Sequence, residues 1–326
     1  MPWAAIDALD DARDVTLSLL LPVSWRTWAR FAVVTFFVSG VGGIGSLGQG
    51  VQGIISSPQP PGATLGRLDL PPLPAVVPER VTALLVGVGV LAVALGVGYA
   101  VAGAVAEFVL VEGVRTHRFT LRRTSRRFLA PGLRLFAFRT AVVLVLALGA
   151  ALPLLTVLGV LTVSLGGVLL VPLLSLALLL GWVVGLVCLR LTTDFVVPTM
   201  LAEGRPVLSA WRRLLPLVRT AWRDLLLYLV VRLGLGIAAT AAVGLVVGLV
   251  ALAISVPFAL LGSLVVATVG LQGSGLVAVT VLVAGYVPLV VVAAVVAQVP
   301  VVVYFRCYGL VVLGQLDATL ALLSPE

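Results

Sequence analysis

Several stretches of this chain stay apolar for longer than the roughly 20 residues an α-helix needs to cross the hydrocarbon of a bilayer. They cover about residues 80–111, 134–160, 166–197, 223–254 and 276–303, with a shorter run at 25–43. Inside lipid the backbone finds no water, so only helices or closed barrels can span it. A barrel would be written in short alternating segments, and these runs do not alternate. Charge is correspondingly scarce, at 10% of residues against about 25% in a soluble domain. The expected fold class is therefore all-α: a polytopic membrane protein with six transmembrane helices, forming one integral membrane domain over residues 1–326.

The connections carry the rest of the information. Residues 194–223 read DFVVPTMLAEGRPVLSAWRRLLPLVRTAWR. They leave an apolar run, turn at Glu203-Gly204-Arg205-Pro206, and become amphipathic. Val207, Leu208, Trp211, Leu214, Leu215, Val218 and Trp222 recur at helical spacing, with Arg205, Ser209, Arg212, Arg213, Arg219 and Arg223 opposite. A basic amphipathic helix with Trp on its apolar side suits the plane of a membrane surface. Residues 3–21 predict a second such helix, with Trp3, Ile6, Leu9, Ala12, Leu17 and Leu20 sharing a face and Ser24 capping the helix that follows Pro22. The acidic start of the chain does not fit a cleaved signal peptide, which begins basic.

Arginine fixes the expected topology. Every one of the 21 Lys and Arg residues is Arg, and only Arg67 and Arg80 fall on the side opposite the basic connections. The positive-inside rule then places both termini in the cytoplasm of a cell-membrane protein. Arg122, Arg123, Arg126 and Arg127 in one connection, and Arg212, Arg213, Arg219 and Arg223 in another, are candidate contacts for anionic lipid headgroups, the expected partners. Because these clusters sit between spans without groove-reading or stacking residues beside them, nucleic acid is not expected. The Pro- and Gly-rich connection at 45–78 predicts an external loop without regular structure. Residues 257–275, apolar but broken by Gly, predict an external interfacial or re-entrant segment.

The connections also resemble one another. Leu20-Leu21-Pro22 precedes Arg26 and Arg30, Phe128-Leu129-Ala130-Pro131 precedes Arg134 and Arg139, and Leu214-Leu215-Pro216 precedes Arg219 and Arg223. The returning spans end on Glu107-Phe108, Asp194-Phe195 and Tyr304-Phe305. This pattern predicts a three-fold direct repeat of helical hairpins, with units at 1–112, 113–202 and 203–326, each beginning in an amphipathic elbow helix at the cytoplasmic surface.

Charges within apolar runs mark a candidate polar site, because a charge at mid-bilayer costs about 2.5–3.5 kcal/mol on insertion scales and so pairs or faces a cavity. Glu107, Asp194, Arg139, Arg190, Arg232 and Asp224 lie within or near such runs, and Glu107, Arg139, Asp194 and Arg232 are the candidates. Arg232 lies about 13 Å along a helix from Arg223 at about 1.5 Å per residue, a depth that predicts pairing with Asp194 or Glu107, and with Asp194 first. Catalytic signatures are missing. There is no HExxH, His117 is the single histidine and lies in a basic connection, and Gly40-Val41-Gly42-Gly43-Ile44-Gly45 matches a GxGxxG pattern without a strand or βαβ unit around it. No catalytic residue, metal site or cofactor is expected, and Cys188 and Cys307, without CxxC partners, are read as small hydrophobes.

The phrase DFVVPTMLAEGRPVLSAWRRLLPLVR resembles a pattern in the membrane domain attached to some glycerophosphodiester phosphodiesterases. The opening AIDALDDARDVTLSLLLPVSWRTWARFAVVTFFVSG and the ending VVVYFRCYGLVVLGQLDATLALLSPE more closely resemble an uncharacterised family of haloarchaeal six-span membrane proteins. That resemblance implies a multi-pass membrane protein and no assigned activity. The expected function is non-catalytic, a membrane-organising, scaffold or assembly role. A transporter or lipid-handling protein with a polar cavity in the inner leaflet is the alternative.

Overall fold

The computed structural model describes residues 4–21, 24–39, 79–116, 121–157, 165–270 and 272–322. Among them the regular structure is helical throughout. In chain order the elements are α1 (Ala4–Leu20), α2 (Trp25–Val38), α3 (Glu79–Thr116), α4 (Leu121–Arg127), α5 (Leu129–Val157) and α6 (Leu165–Leu191). A π-helical turn (Thr192–Val196), α7 (Val197–Glu203), α8 (Val207–Thr220), α9 (Trp222–Val269) and α10 (Ser274–Leu316) follow, and a 3₁₀ turn (Ala318–Leu320) comes last.

Among the described residues, five stretches are long and apolar enough to cross a membrane: Arg80–Thr116, Leu129–Ala151, Leu174–Glu203, Trp222–Val269 and Ser274–Leu316. The run at 25–43 is represented by α2, whose 14 residues fall short of a span by themselves. The rest of that run, and the Gly- and Pro-rich connection after it, lie outside the described residues.

The expectation for residues 257–275 is overturned. Helix α9 runs uninterrupted for 48 residues, with Pro257 inside it, and ends only at Val269. The chain reverses at Gly270 and Gly273, whose φ values of 78° and 54° lie in the left-handed region that glycine enters without penalty. The partner helix α10 then continues to Leu316 rather than ending near 303. A Pro and isolated Gly residues do not terminate a helix where the surroundings are apolar, because an exposed non-helical backbone would have no water to satisfy it.

The chain divides into two compact units. One comprises Met1–Val34, Ala104–Leu235 and Pro300–Glu326, and the other Thr35–Gly103 and Gly236–Val299. In the second, the Tyr99 hydroxyl donates to the Phe36 carbonyl, and the rings of Phe36, Phe37 and Tyr99 cluster with centroids 5.3–5.6 Å apart. Gly103 permits this approach, since a Cβ there would lie 2.7 Å from the Phe37 carbonyl oxygen. Tyr286 donates to the Ala251 carbonyl at 3.3 Å and packs edge-on against Phe258.

The first unit holds most of the buried core and, among the described residues, all the buried charge. Helix α5 packs antiparallel on α6, with Gly149 facing Leu178 and Gly185 facing Leu146. Helix α1 buries Ala8, Ala12, Thr16 and Leu20, a stripe of mostly small residues one turn apart. Ala12 and Leu20 belong to the apolar face read from the sequence, whereas Ile6 and Leu17 of that face are exposed. Small side chains let helices approach closely, so the buried face of α1 is its small one. Ser24 stands just before α2, where its hydroxyl donates to the Thr27 hydroxyl at 2.6 Å.

Candidate functional site

A cluster of ionised side chains lies inside the first unit, built from residues far apart in sequence. Helix α3 supplies Glu107, α5 Arg139, α6 Arg190, the π turn Thr193 and Asp194, α9 Tyr228 and Arg232, and α10 Arg306. Glu107, Asp194, Arg232 and Arg306 are all buried.

The cluster has two lobes joined at the π turn. In the first, Glu107 Oε1 accepts from Arg139 Nη2 at 2.9 Å, and Oε2 accepts from Arg306 Nη2. In the second, Asp194 Oδ2 lies 3.0 Å from Arg232 Nε, accepts from the Tyr228 hydroxyl at 3.0 Å, and stands 3.6 Å from Arg190 Nε. Thr193 bridges them: its hydroxyl accepts from Arg139 at 2.6 Å and its carbonyl from Arg306 Nη1 at 2.6 Å. The π turn makes this geometry available. One wide turn interrupts the regular i to i−4 ladder, and the arginine of α10 takes up a carbonyl there. Arg232 Nη1 in turn donates to the Phe305 carbonyl at 3.1 Å, with its guanidinium 4.8 Å from the centre of the Phe305 ring.

Aromatic packing walls the second lobe. Tyr228 contacts Phe195 and stacks on Tyr308, both at 5.1 Å between centroids, and Tyr308 stacks on Tyr304. Gly309 makes room for this, since a Cβ there would already touch the Tyr228 hydroxyl at 3.4 Å and the Asp194 carbonyl at 3.5 Å.

The structure thus brings Asp194 together with Arg232, and Glu107 with Arg139. Sequence reasoning missed Arg306, Tyr228 and Thr193. Arg306 reads as the start of a tail after an aromatic pair. The signal that could have found it is the apolar run Cys307–Leu313, which continues the helix beyond it and makes Arg306 an interior charge. Arg190 sits one turn before Asp194 with its side chain 49% exposed. Among the described residues, no group of three or more His, Cys, Asp and Glu side chains gathers as a metal site would require.

Helix α8 is positioned by the break that precedes it. Gly204, with φ 67°, caps α7 and bonds back to the Met200 carbonyl at 2.9 Å. Extended Pro206 then starts α8. Val207, Ala210 and Leu214 are buried, and Trp211 Nε1 donates to the Thr192 hydroxyl at 3.2 Å, tying the helix to the π turn. Leu191, Phe195, Trp211, Leu214, Leu225 and Leu316 line an apolar recess beneath it.

Helix α8 also presents an exposed stripe. Leu208 is 66% and Leu215 42% exposed, and Trp222 at the start of α9 is 51% exposed. Arg212 and Arg219 follow the two leucines at four residues' distance and are exposed, as is Arg223, whose guanidinium lies over the Trp222 ring. Arg212 and Arg219 have no carboxylate partner among the described residues. Arg213 does have partners, Asp317 at 2.8 Å and Glu203 at 3.8 Å. In the other basic connection α4 carries Arg122, Arg123, Arg126 and Arg127. Arg126 and Arg127 are exposed, and the side chains of Arg122 and Arg123 lie outside the described residues.

The Arg213 contact ties the end of the chain to α8. The Thr319 hydroxyl and then its backbone N–H donate to Asp317, and with the Arg213 charge they hold this carboxyl below the usual carboxylate range against the opposing effect of burial. A depressed folded pKa contributes stability above the unfolded value that is lost as pH falls through the folded one. The turn at 317–322 is therefore expected to lose hydrogen-exchange protection below about pH 4, the ordinary Asp range, and Asp317→Asn to produce the same loss at neutral pH. Protection unchanged in both experiments would show that the ionised carboxyl does not hold the turn.

A family model described as a family of unknown function (DUF7544) matches residues 3–323, nearly the whole chain, and the protein belongs to that family. No curated protein and no solved structure matches it.

Proposed function

We propose that this protein is a non-catalytic, multi-pass membrane protein that organises anionic lipid, and partners held with it, at the cytoplasmic surface. The observation that carries this reading is the outer side of α8. Exposed Leu208 and Leu215 run beside exposed Arg212 and Arg219 on a helix whose inner side is fixed to the core, and exposed Trp222 and Arg223 follow at the start of α9. That combination suits the boundary between acyl chains and headgroups. Each Arg near an anionic surface adds about 1 kcal/mol of attraction.

The reading includes six spans with both termini cytoplasmic and three direct repeats. The buried pairs support the repeats through their register. Glu107 at the end of one unit pairs with Arg139 of the next, while Phe108 stacks on Phe128. Asp194 at the end of the second pairs with Arg232 of the third, while Phe195 packs on Tyr228. Tyr304, in the corresponding place of the third, donates to the Leu9 carbonyl of the first at 3.5 Å. Each unit end thereby addresses the next unit, as direct repeats about an axis along the membrane normal would require.

A lipid-handling role is the second reading, favoured by the π turn inside the ionic cluster, since such turns recur at functional sites. Against a transport path, the recess beside that turn is apolar and does not include Arg232.

The test compares lipid retained after reconstitution in phosphatidylcholine alone or mixed with phosphatidylglycerol. Replacing Arg212, Arg219 and Arg223 with Gln is expected to lower the preference for phosphatidylglycerol by up to about a hundredfold at low salt, from about 1 kcal/mol for each charge. An unchanged preference would remove the basis of the surface reading.

A further inference from the structure

The ionic cluster is not balanced. Four guanidinium groups, from Arg139, Arg190, Arg232 and Arg306, face two carboxylates, Glu107 and Asp194. Each lobe has two guanidinium groups to one carboxylate, and in the second lobe one of the two, Arg190, is half exposed. Arg190 and Arg232 both direct Nε at a single oxygen, Asp194 Oδ2, which already accepts the Tyr228 hydroxyl. Arg232 Nε, although 3.0 Å from that oxygen, lies off the hydrogen-bonding line and makes no hydrogen bond. Arg190 holds the carboxylate only loosely, at 3.6 Å, and its terminal amino groups have no partner among the described residues.

The surroundings of Arg190 indicate the side from which a counter-charge comes. Residues 4, 7 and 11 positions earlier on α6 are Leu186, Val183 and Leu179, all exposed, so Arg190 ends the apolar stripe that this helix turns outward. An exposed stripe of that kind on a membrane helix meets acyl chains. A guanidinium at its end meets what those chains carry. Its planar fork matches a phosphate in two parallel hydrogen bonds.

We propose that Arg190, backed by Arg232 and the π turn, binds the phosphate of one anionic phospholipid, which supplies the negative charge that the second lobe lacks. The site is separate from the α8 surface and does not depend on the surface reading. It predicts one lipid held per chain rather than a general preference for charged membrane.

The test uses the full chain in detergent with dioleoyl phosphatidylglycerol, dioleoylglycerol or inorganic phosphate as probe, read by native mass spectrometry and thermal unfolding. One phosphatidylglycerol is expected to be retained and to raise the unfolding temperature, and dioleoylglycerol, which has the same chains without the phosphate, to do neither. Arg190→Gln should weaken retention about 10- to 100-fold, the range for hydrogen bonds to a charged group. Arg190→Lys should recover part of it. Without lipid, Arg190→Gln should unfold no earlier than the native chain, which separates a ligand contact from a structural one. Replacing Arg212, Arg219 and Arg223 should leave this lipid in place, so the site and the surface reading fail independently. Equal retention by Arg190→Gln overturns the proposal. Stabilisation by inorganic phosphate without retention of phosphatidylglycerol overturns the assignment to a lipid.

Discussion

Glu107→Gln is expected to destabilise the fold by about 3–5 kcal/mol, the cost of breaking a buried ion pair from one side. Glu107 is the carboxylate on which Arg139 and Arg306 converge, and Arg306 is buried. Glutamine matches the shape but keeps one acceptor oxygen and turns an amide N–H toward a guanidinium. Arg306 would then remain in a low dielectric with the Thr193 carbonyl as its main partner. The same helix provides the control. Glu112 meets Arg115 at 3.8 Å with both side chains partly exposed, and Glu112→Gln should cost less than about 1 kcal/mol. Adding Arg306→Met to Glu107→Gln should restore much of the loss, because removing both partners of a buried pair is far less costly than removing one. Reversible unfolding in mixed micelles would measure all four chains. A loss at Glu107 no larger than at Glu112 would show that water reaches the first lobe.

How much of this could be read from the sequence depended on which physical signal was strong. Apolar runs longer than a bilayer is thick identify spanning helices because lipid leaves the backbone few alternatives, and five of them are helices in the structure. Asp194 and Arg232 could be placed together because two opposite charges at the ends of apolar runs have few other partners of comparable depth. Where the sequence misled, a rule from water had been applied to an apolar setting. Pro257 and Gly262 lie in a stretch that looked broken, yet α9 passes through both to Val269, and only Gly270 and Gly273 reverse the chain. The apolar face read for α1 holds in part, since Ala12 and Leu20 are buried, but Ala8 and Thr16 share the buried stripe while Ile6 and Leu17 are exposed. The π turn left no trace that periodicity could detect, since a single widened turn shifts the helical phase without changing composition. Thr193 owes its bridging place to that turn.

The second lobe is expected to respond asymmetrically to loss of its two charges. Asp194→Asn leaves Arg232 and Arg190 facing each other across a neutral amide, with like charges a few ångströms apart and one of them buried. Its cost should reach about 3–5 kcal/mol. Arg232→Gln removes the deeper cation but leaves Asp194 with Tyr228 at 3.0 Å and Arg190 at 3.6 Å, so it should cost less, about 2 kcal/mol, the worth of the hydrogen bond that its charged guanidinium gives the Phe305 carbonyl. The sign of a third effect follows. Arg190→Gln should stabilise the Asp194→Asn chain, where it removes a like-charge repulsion, and should do little in the native chain, where it removes both that repulsion and a loose attraction. A double-mutant cycle across Asp194 and Arg190 isolates this coupling from side-chain packing, which is common to both arms. Additive effects would mean that Arg190 points away from the lobe in the membrane, and the excess charge would then reside on Arg232 alone.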